Sequence, residues 1–169
     1  GTRTVAITAA GDPDTSVFEG EVTVESGQPY TVAAIGEIGD EADQAFEPLI
    51  LEDDTATPGD DTARLRVVHA SPDAPAVDVT VAAGDLLFDG VAYSESGTVE
   101  VPGGDYTVQI RGDTESNDGD VVAEFDVSLN GSAVYTAFAA GYLSPDDEPA
   151  DTQFDLLVAQ DAGNGMMGG

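Results

Sequence analysis

The chain has 169 residues, of which 34 are acidic and four basic (Arg3, Arg64, Arg66 and Arg111), giving a formal charge of -30 at pH 7. That balance argues against nucleic acid and anionic lipid headgroups as partners, since both are met through Lys and Arg. Hydrophobic residues make up 41% and cysteine is absent, so the chain can build a core but has no disulfide, thiolate metal site or thiol nucleophile. No apolar run approaches the roughly 18 residues of a membrane-spanning helix.

The acidity is spread along the whole chain. Repulsion among so many carboxylates destabilises a compact state at low salt. Molar salt shortens the Debye length to about 3 Å and removes most of that penalty. The composition therefore implies an extremely halophilic source, with a dedicated calcium-binding surface as the competing reading.

Alternation with period two dominates, and no segment sustains a helical period. The first strands are TVAI (4–7), two within VFEGEVTVESGQPYTVAAIG (17–36), and FEPLILED (46–53). Tyr30 follows a Gly-containing turn and opens TVAAIG, the setting of a tyrosine corner in Ig-like sandwiches, so a structural role is expected. DDTATPGDDT (53–62) carries a Pro-Gly turn, and 55–62 reads as a polar linker.

RLRVVHASPDAP (64–75) holds the only histidine. Leu65, Val67 and His69 share one parity, which points His69 toward the core end of its strand, neutral and bonded to turn backbone. Ser71 as a nucleophile with His69 as base, oriented by Asp73 or Asp78, is the catalytic alternative. Side chains two apart on a strand lie roughly 7 Å from one another, too far for that hydrogen bond. Pro72 follows the serine, and no G-x-S-x-G elbow exists. SPDAP instead reads as a corner: Pro72 fixes φ, Asp73 caps its own turn and Pro75 stops strand pairing. His69, Ser71, Pro72, Asp73 and Pro75 are all assigned to structure.

In AVDVTV the inward residues are Val77, Val79 and Val81. LFDGVAY (87–93) and the hairpin VEVPGGDYTVQIR (99–111) follow, with Tyr106, Val108 and Ile110 on one face and Thr107, Gln109 and Arg111 on the other. The loop GDTESNDGD (112–120) clusters hard oxygen ligands. Asp113, Asn117, Asp118 and Asp120 are the candidate calcium ligands, and a solvated hairpin loop is the alternative. VVAEFDVSL alternates again, with Ala123, Phe125, Val127 and Leu129 apolar. Tyr135 opens TAFAAG as Tyr30 opens TVAAIG and takes the same structural role. The Gly-rich tail 163–169 is expected to be flexible. With 7% aromatics and no tryptophan, a sugar-stacking site is the weaker alternative.

The chain repeats itself. TVAI (4–7) matches TVQI (107–110), 17–36 matches 121–141, and FEPLILED (46–53) matches FDLLVAQD (154–161). Residues 63–162 form one complete unit of about eight strands, whereas 1–54 match only its second half. Four strands of a sandwich leave an apolar face and open edges. Three readings remain open: a fragment of a longer protein, strands supplied by a neighbouring chain, or two units merged into one unusual sandwich.

The residues Arg66–Pro75, Val77–Val81, Phe88–Tyr93, Pro102–Arg111 and Tyr135–Gly141 resemble the domain-of-unknown-function 4397 family, with HASPDAP the most specific part. The resemblance implies secreted or cell-surface proteins of bacteria and haloarchaea, tandem Ig-like modules, no established enzymatic activity, and a signal peptide and complete first module upstream. The expected fold is all-β: tandem Ig-like antiparallel β-sandwich modules, the first lacking its N-terminal strands. The expected function is a non-enzymatic extracellular structural or adhesion protein of a haloarchaeal cell surface, as a fibre subunit in one version. Its expected partners are further copies or other cell-surface proteins. A calcium- or glycan-binding module is the alternative, calcium being the one cofactor considered.

Overall fold

The computed structural model describes residues 1–40, 42–147 and 150–163; the tail from 164 onward lies outside them. Two compact units emerge, Gly1–Asp54 and the chain from Thr55 on. The protein is all-β, as the period-two alternation requires.

In the first unit, β1 (Thr2–Ala9) and β2 (Asp12–Thr23) form an antiparallel hairpin, and β3 (Tyr30–Ile35) pairs antiparallel with β4 (Glu47–Glu52). Each pair is a separate two-stranded sheet. The second unit holds β5 (Thr62–His69), β6 (Val77–Val81), β7 (Leu86–Val91), β8 (Ser96–Pro102), β9 (Gly104–Gly112), β10 (Val121–Leu129), β11 (Ala133–Ala140) and β12 (Asp155–Ala162). These make two four-stranded sheets, in the orders β10-β9-β6-β7 and β12-β11-β5-β8. Leu65, Val67 and Ala137 from one sheet pack with Val79, Val108 and Ile110 from the other in one buried cluster. Each such Val, Leu or Ile contributes roughly 1.5–3 kcal/mol on burial.

Two features depart from the sequence expectation. The sheets are not wholly antiparallel: β5 runs parallel to β11, from Ala63 opposite Ala133 to His69 opposite Ala139. The opening strand of the unit thus closes against a late one, which no local pattern encodes. Alternation also places Asp78 and Thr80 outside, yet all five residues of β6 are buried. As a central strand between β9 and β7, β6 is covered on its outer face by the 113–117 turn and by Arg111, whose Nε donates to Thr80 Oγ1.

The segment before β5 is tied to the second unit. Arg64 Nη1 donates to Ala56 O at 2.8 Å, and Thr62 N donates to Gly59 O at 2.9 Å. Thr62, assigned to the linker by sequence, is the first residue of β5.

The repeat extends to single atoms. Tyr30 Oη accepts from Glu25 N, and Tyr135 Oη accepts from Asn130 N, each five residues back. Thr31 Oγ1 donates to Asp53, as Thr136 Oγ1 donates to Asp161. After each strand comes a left-handed glycine, Gly36 (φ 83) and Gly141 (φ 84). Next follow matching parallel bridges, Glu37 with Ala45 and Tyr142 with Gln153. The first unit is therefore equivalent to β9–β12, strand for strand.

Candidate functional site

The corner between β5 and β6 fixes the side-chain polar atoms of His69, Ser71 and Asp73 in the HASPD motif that sequence singled out. His69 and Ser71 are fully enclosed, at 1% and 0% exposure. His69 Nδ1 accepts from Ser71 N at 3.3 Å, and Nε2 faces Pro75 O at 2.9 Å, which assigns the neutral Nε2–H tautomer. The Tyr93 ring stands edge-on to the imidazole at 6.1 Å. Burial holds the His69 pKa below its ordinary value, outweighing the Pro75 hydrogen bond and the charges of Asp73 and Glu95. Ser71 Oγ donates to Gly141 O at 2.6 Å, with Asp73 Oδ1 3.2 Å away. Asp73 in turn accepts from Leu143 N and Ser144 N at 2.9 and 2.8 Å. The motif is a clasp: β5 runs beside β11, and the corner grips the turn that leaves β11. The histidine nitrogens point to backbone and the serine hydroxyl to a carbonyl, an arrangement that aligns no proton transfer from Ser71 to His69.

The acidic loop contributes a second constellation, with different members from those expected. Carboxylate oxygens of Asp78, Asp89 and Asp113 lie within 4.8 Å of one another. Asp78, fully buried on β6, accepts from Gly90 N at 2.9 Å and Thr114 N at 3.0 Å. Its cross-strand neighbour Arg111 turns instead to Thr80, Gly119 O and Gln109. Asn117 sits above the trio in a left-handed conformation, φ 57, which asparagine tolerates. With its amide nitrogen inward it donates to Asp89 Oδ1 at 2.8 Å and to both Asp78 oxygens at 3.2 Å. With its carbonyl inward, only oxygens converge there, a set that suits a hard cation. Desolvation, then the charges of Asp78 and Asp89, push the exposed Asp113 carboxyl above its ordinary pKa. Asp113 and Asn117 thus join this cluster. Asp118 and Asp120 do not: Asp118 accepts from Ser116 Oγ, and both are exposed at the loop surface. Sequence reasoning missed Asp89, a lone acid in an apolar strand, and read Asp78 as facing solvent.

Tyr30 and Tyr135 serve the turns before β3 and β11, as described above. Among the described residues, no helix is long and apolar enough to cross a membrane.

Fold and sites define the class: an all-β protein with one unit that is a sandwich of two four-stranded sheets and another, of four strands, equivalent to half of it. The family model of a domain of unknown function, DUF4397, matches residues 1–80, a stretch that takes in the first unit, β5, the HASPDAP corner and most of β6. The match supports the resemblance at Arg66–Pro75, its most specific part. No curated protein matches. Among solved structures, the N-terminal domain of AlgF from P. aeruginosa is similar at 20% identity and a TM-score of 0.36, over 57% of this chain and 92% of that one.

Proposed function

We propose that the protein is a non-enzymatic structural or adhesion component of a haloarchaeal cell surface, whose first unit is completed by a strand from a neighbouring polypeptide. The observation that carries this reading is the two-stranded state of both first-unit sheets. In the second unit the equivalents of β1 and β3 are each flanked on both sides. Open edges of this kind are templates for strand addition. The charge of -30 fits a salt-rich exterior, and the polar groups of the HASPD corner are engaged in holding the fold. Electron microscopy and light scattering of native material in molar salt are expected to show multi-chain assemblies. A native monomer would contradict the proposal.

A second reading, a calcium-binding module, is favoured by the Asp78–Asp89–Asp113–Asn117 oxygens around a buried carboxylate. On that reading calcium raises the melting temperature at constant ionic strength, and Asp78→Asn abolishes the increment; equal melting with calcium and with chelator would rule it out.

A further inference from the structure

In the second unit, β5 and β6 pair with the equivalents of β3 and β1. We infer that the first unit binds a polypeptide segment built like β5–β6, in one defined register: its arginine opposite Thr31, its histidine opposite Ala34, and its Ser-Pro-Asp corner on the turn after β3. This rests on the strand-completion reading and names the donor.

The equivalence fixes the register. In the second unit Leu65 lies opposite Tyr135, Arg66 opposite Thr136 and His69 opposite Ala139; Tyr30, Thr31 and Ala34 stand in those places in β3. Arg66 Nε and Nη2 both donate to Thr136 Oγ1, at 3.1 and 2.9 Å, while that hydroxyl donates to Asp161. The first unit carries the same pair, Thr31 on Asp53, so its acceptor for a guanidinium is already built. The clasp is duplicated too. Ser71 and Asp73 take Gly141 O, Leu143 N and Ser144 N, and the first unit offers Gly36 O, Ile38 N and Gly39 N in sequence-equivalent places.

Burial says the same. Ala137, paired beside Val67 of β5, is 1% exposed, whereas its equivalent Val32 is 54% exposed. Val108 and Ile110, paired beside Val81 and Val79 of β6, are 3% and 0% exposed, while Val5 and Ile7 on β1 are only half-buried. Ile38, where the corner would rest, is 64% exposed. Apolar groups displayed in a row beside unpaired strand edges gain free energy when a strand covers them.

Counting excludes residues 1–169 of a second copy as donor. These 169 residues hold two closing halves, β1–β4 and β9–β12, and one opening half, β5–β8. A copy that gave its opening half would open its own second unit. The donor is therefore a segment from outside these residues that carries the Arg-x-Val-Val-His-x-Ser-x-Asp pattern.

The test adds a labelled synthetic peptide of residues 62–81 to the full chain in molar salt, following binding by anisotropy and the site by hydrogen exchange. One-to-one binding that slows exchange in β1 and β3 is expected. An Arg66→Met peptide should bind about tenfold more weakly or worse, and Thr31→Val in the chain should erase that difference. A second form, in which a copy of residues 62–103 is joined ahead of Thr2, should protect the same strands intramolecularly. Unchanged affinity after Arg66→Met, protection confined to the second unit, or no protection by either form overturns the inference. So does a dimer of the chain alone that protects β1 and β3, which assigns the site to a second copy. If native assemblies persist after such a failure, strand completion stands with another donor; if native material is also monomeric, both fall.

Discussion

His69 and Asp113 respond to pH with opposite signs. Folding lowers the His69 pKa, so the unfolded chain binds the proton first. Stability is then full above the ordinary value of 6.5 and falls as pH drops through it toward the folded value. Melting curves across this range should show that loss in the wild type and a flatter profile in His69→Gln. His69→Ala removes two hydrogen bonds and a buried ring, and should lower second-unit stability by about 2–4 kcal/mol in denaturant titrations. Asp113 runs the other way. Its raised folded pKa favours the protonated form in the fold, so its contribution is present at acid pH and is lost as pH rises through that value. Asp113→Asn is accordingly expected to raise the melting temperature at neutral pH in chelator; a fall would show that the charge is held by something other than its two acidic neighbours. His69 was legible in the sequence because strand parity with Leu65 and Val67 points it inward. Asp78 was not, because alternation reports a face and not what a distant loop lays over it.

The elements are held by devices that recur in both units. Gly36 and Gly141 are left-handed, and a Cβ on either would overlap the carbonyl oxygen of Ala45 or Gln153. A left-handed alanine alone costs about 1–2 kcal/mol. Gly141→Ala should therefore lower the second unit's denaturation midpoint clearly more than Gly59→Ala, whose Cβ meets only ordinary contacts; equal effects would refute this account of the turn. Tyr135→Phe leaves Asn130 N without its acceptor and should cost about 1 kcal/mol. Strand positions, hairpins and the repeat were all readable from period two and from turn residues. The parallel pairing of β5 with β11 was not, since it joins strands some 70 residues apart (the separation of Arg66 and Thr136) and leaves no local trace. The calcium candidates were half legible: Asp113 and Asn117 share a loop with Asp118 and Asp120, but the fold turns only the first two toward Asp78 and Asp89.

For the whole molecule, charge and the half-repeat dominate. With 34 acidic and four basic residues, mutual repulsion should make melting temperature climb with salt up to the molar range, where screening is nearly complete; a salt-independent melt would contradict this. The half-repeat of residues 1–54 was visible in sequence. In the structure its strands lie in two two-stranded sheets, where the equivalent strands of the second unit lie in sheets of four. The most direct measurement is hydrogen exchange of β1 and β3 against β9 and β11, in the isolated chain and in native material. Strand completion requires fast exchange of β1 and β3 in the isolated chain, and exchange as slow as that of β9 and β11 in the native material. Equal protection of all four strands in the isolated monomer would contradict it.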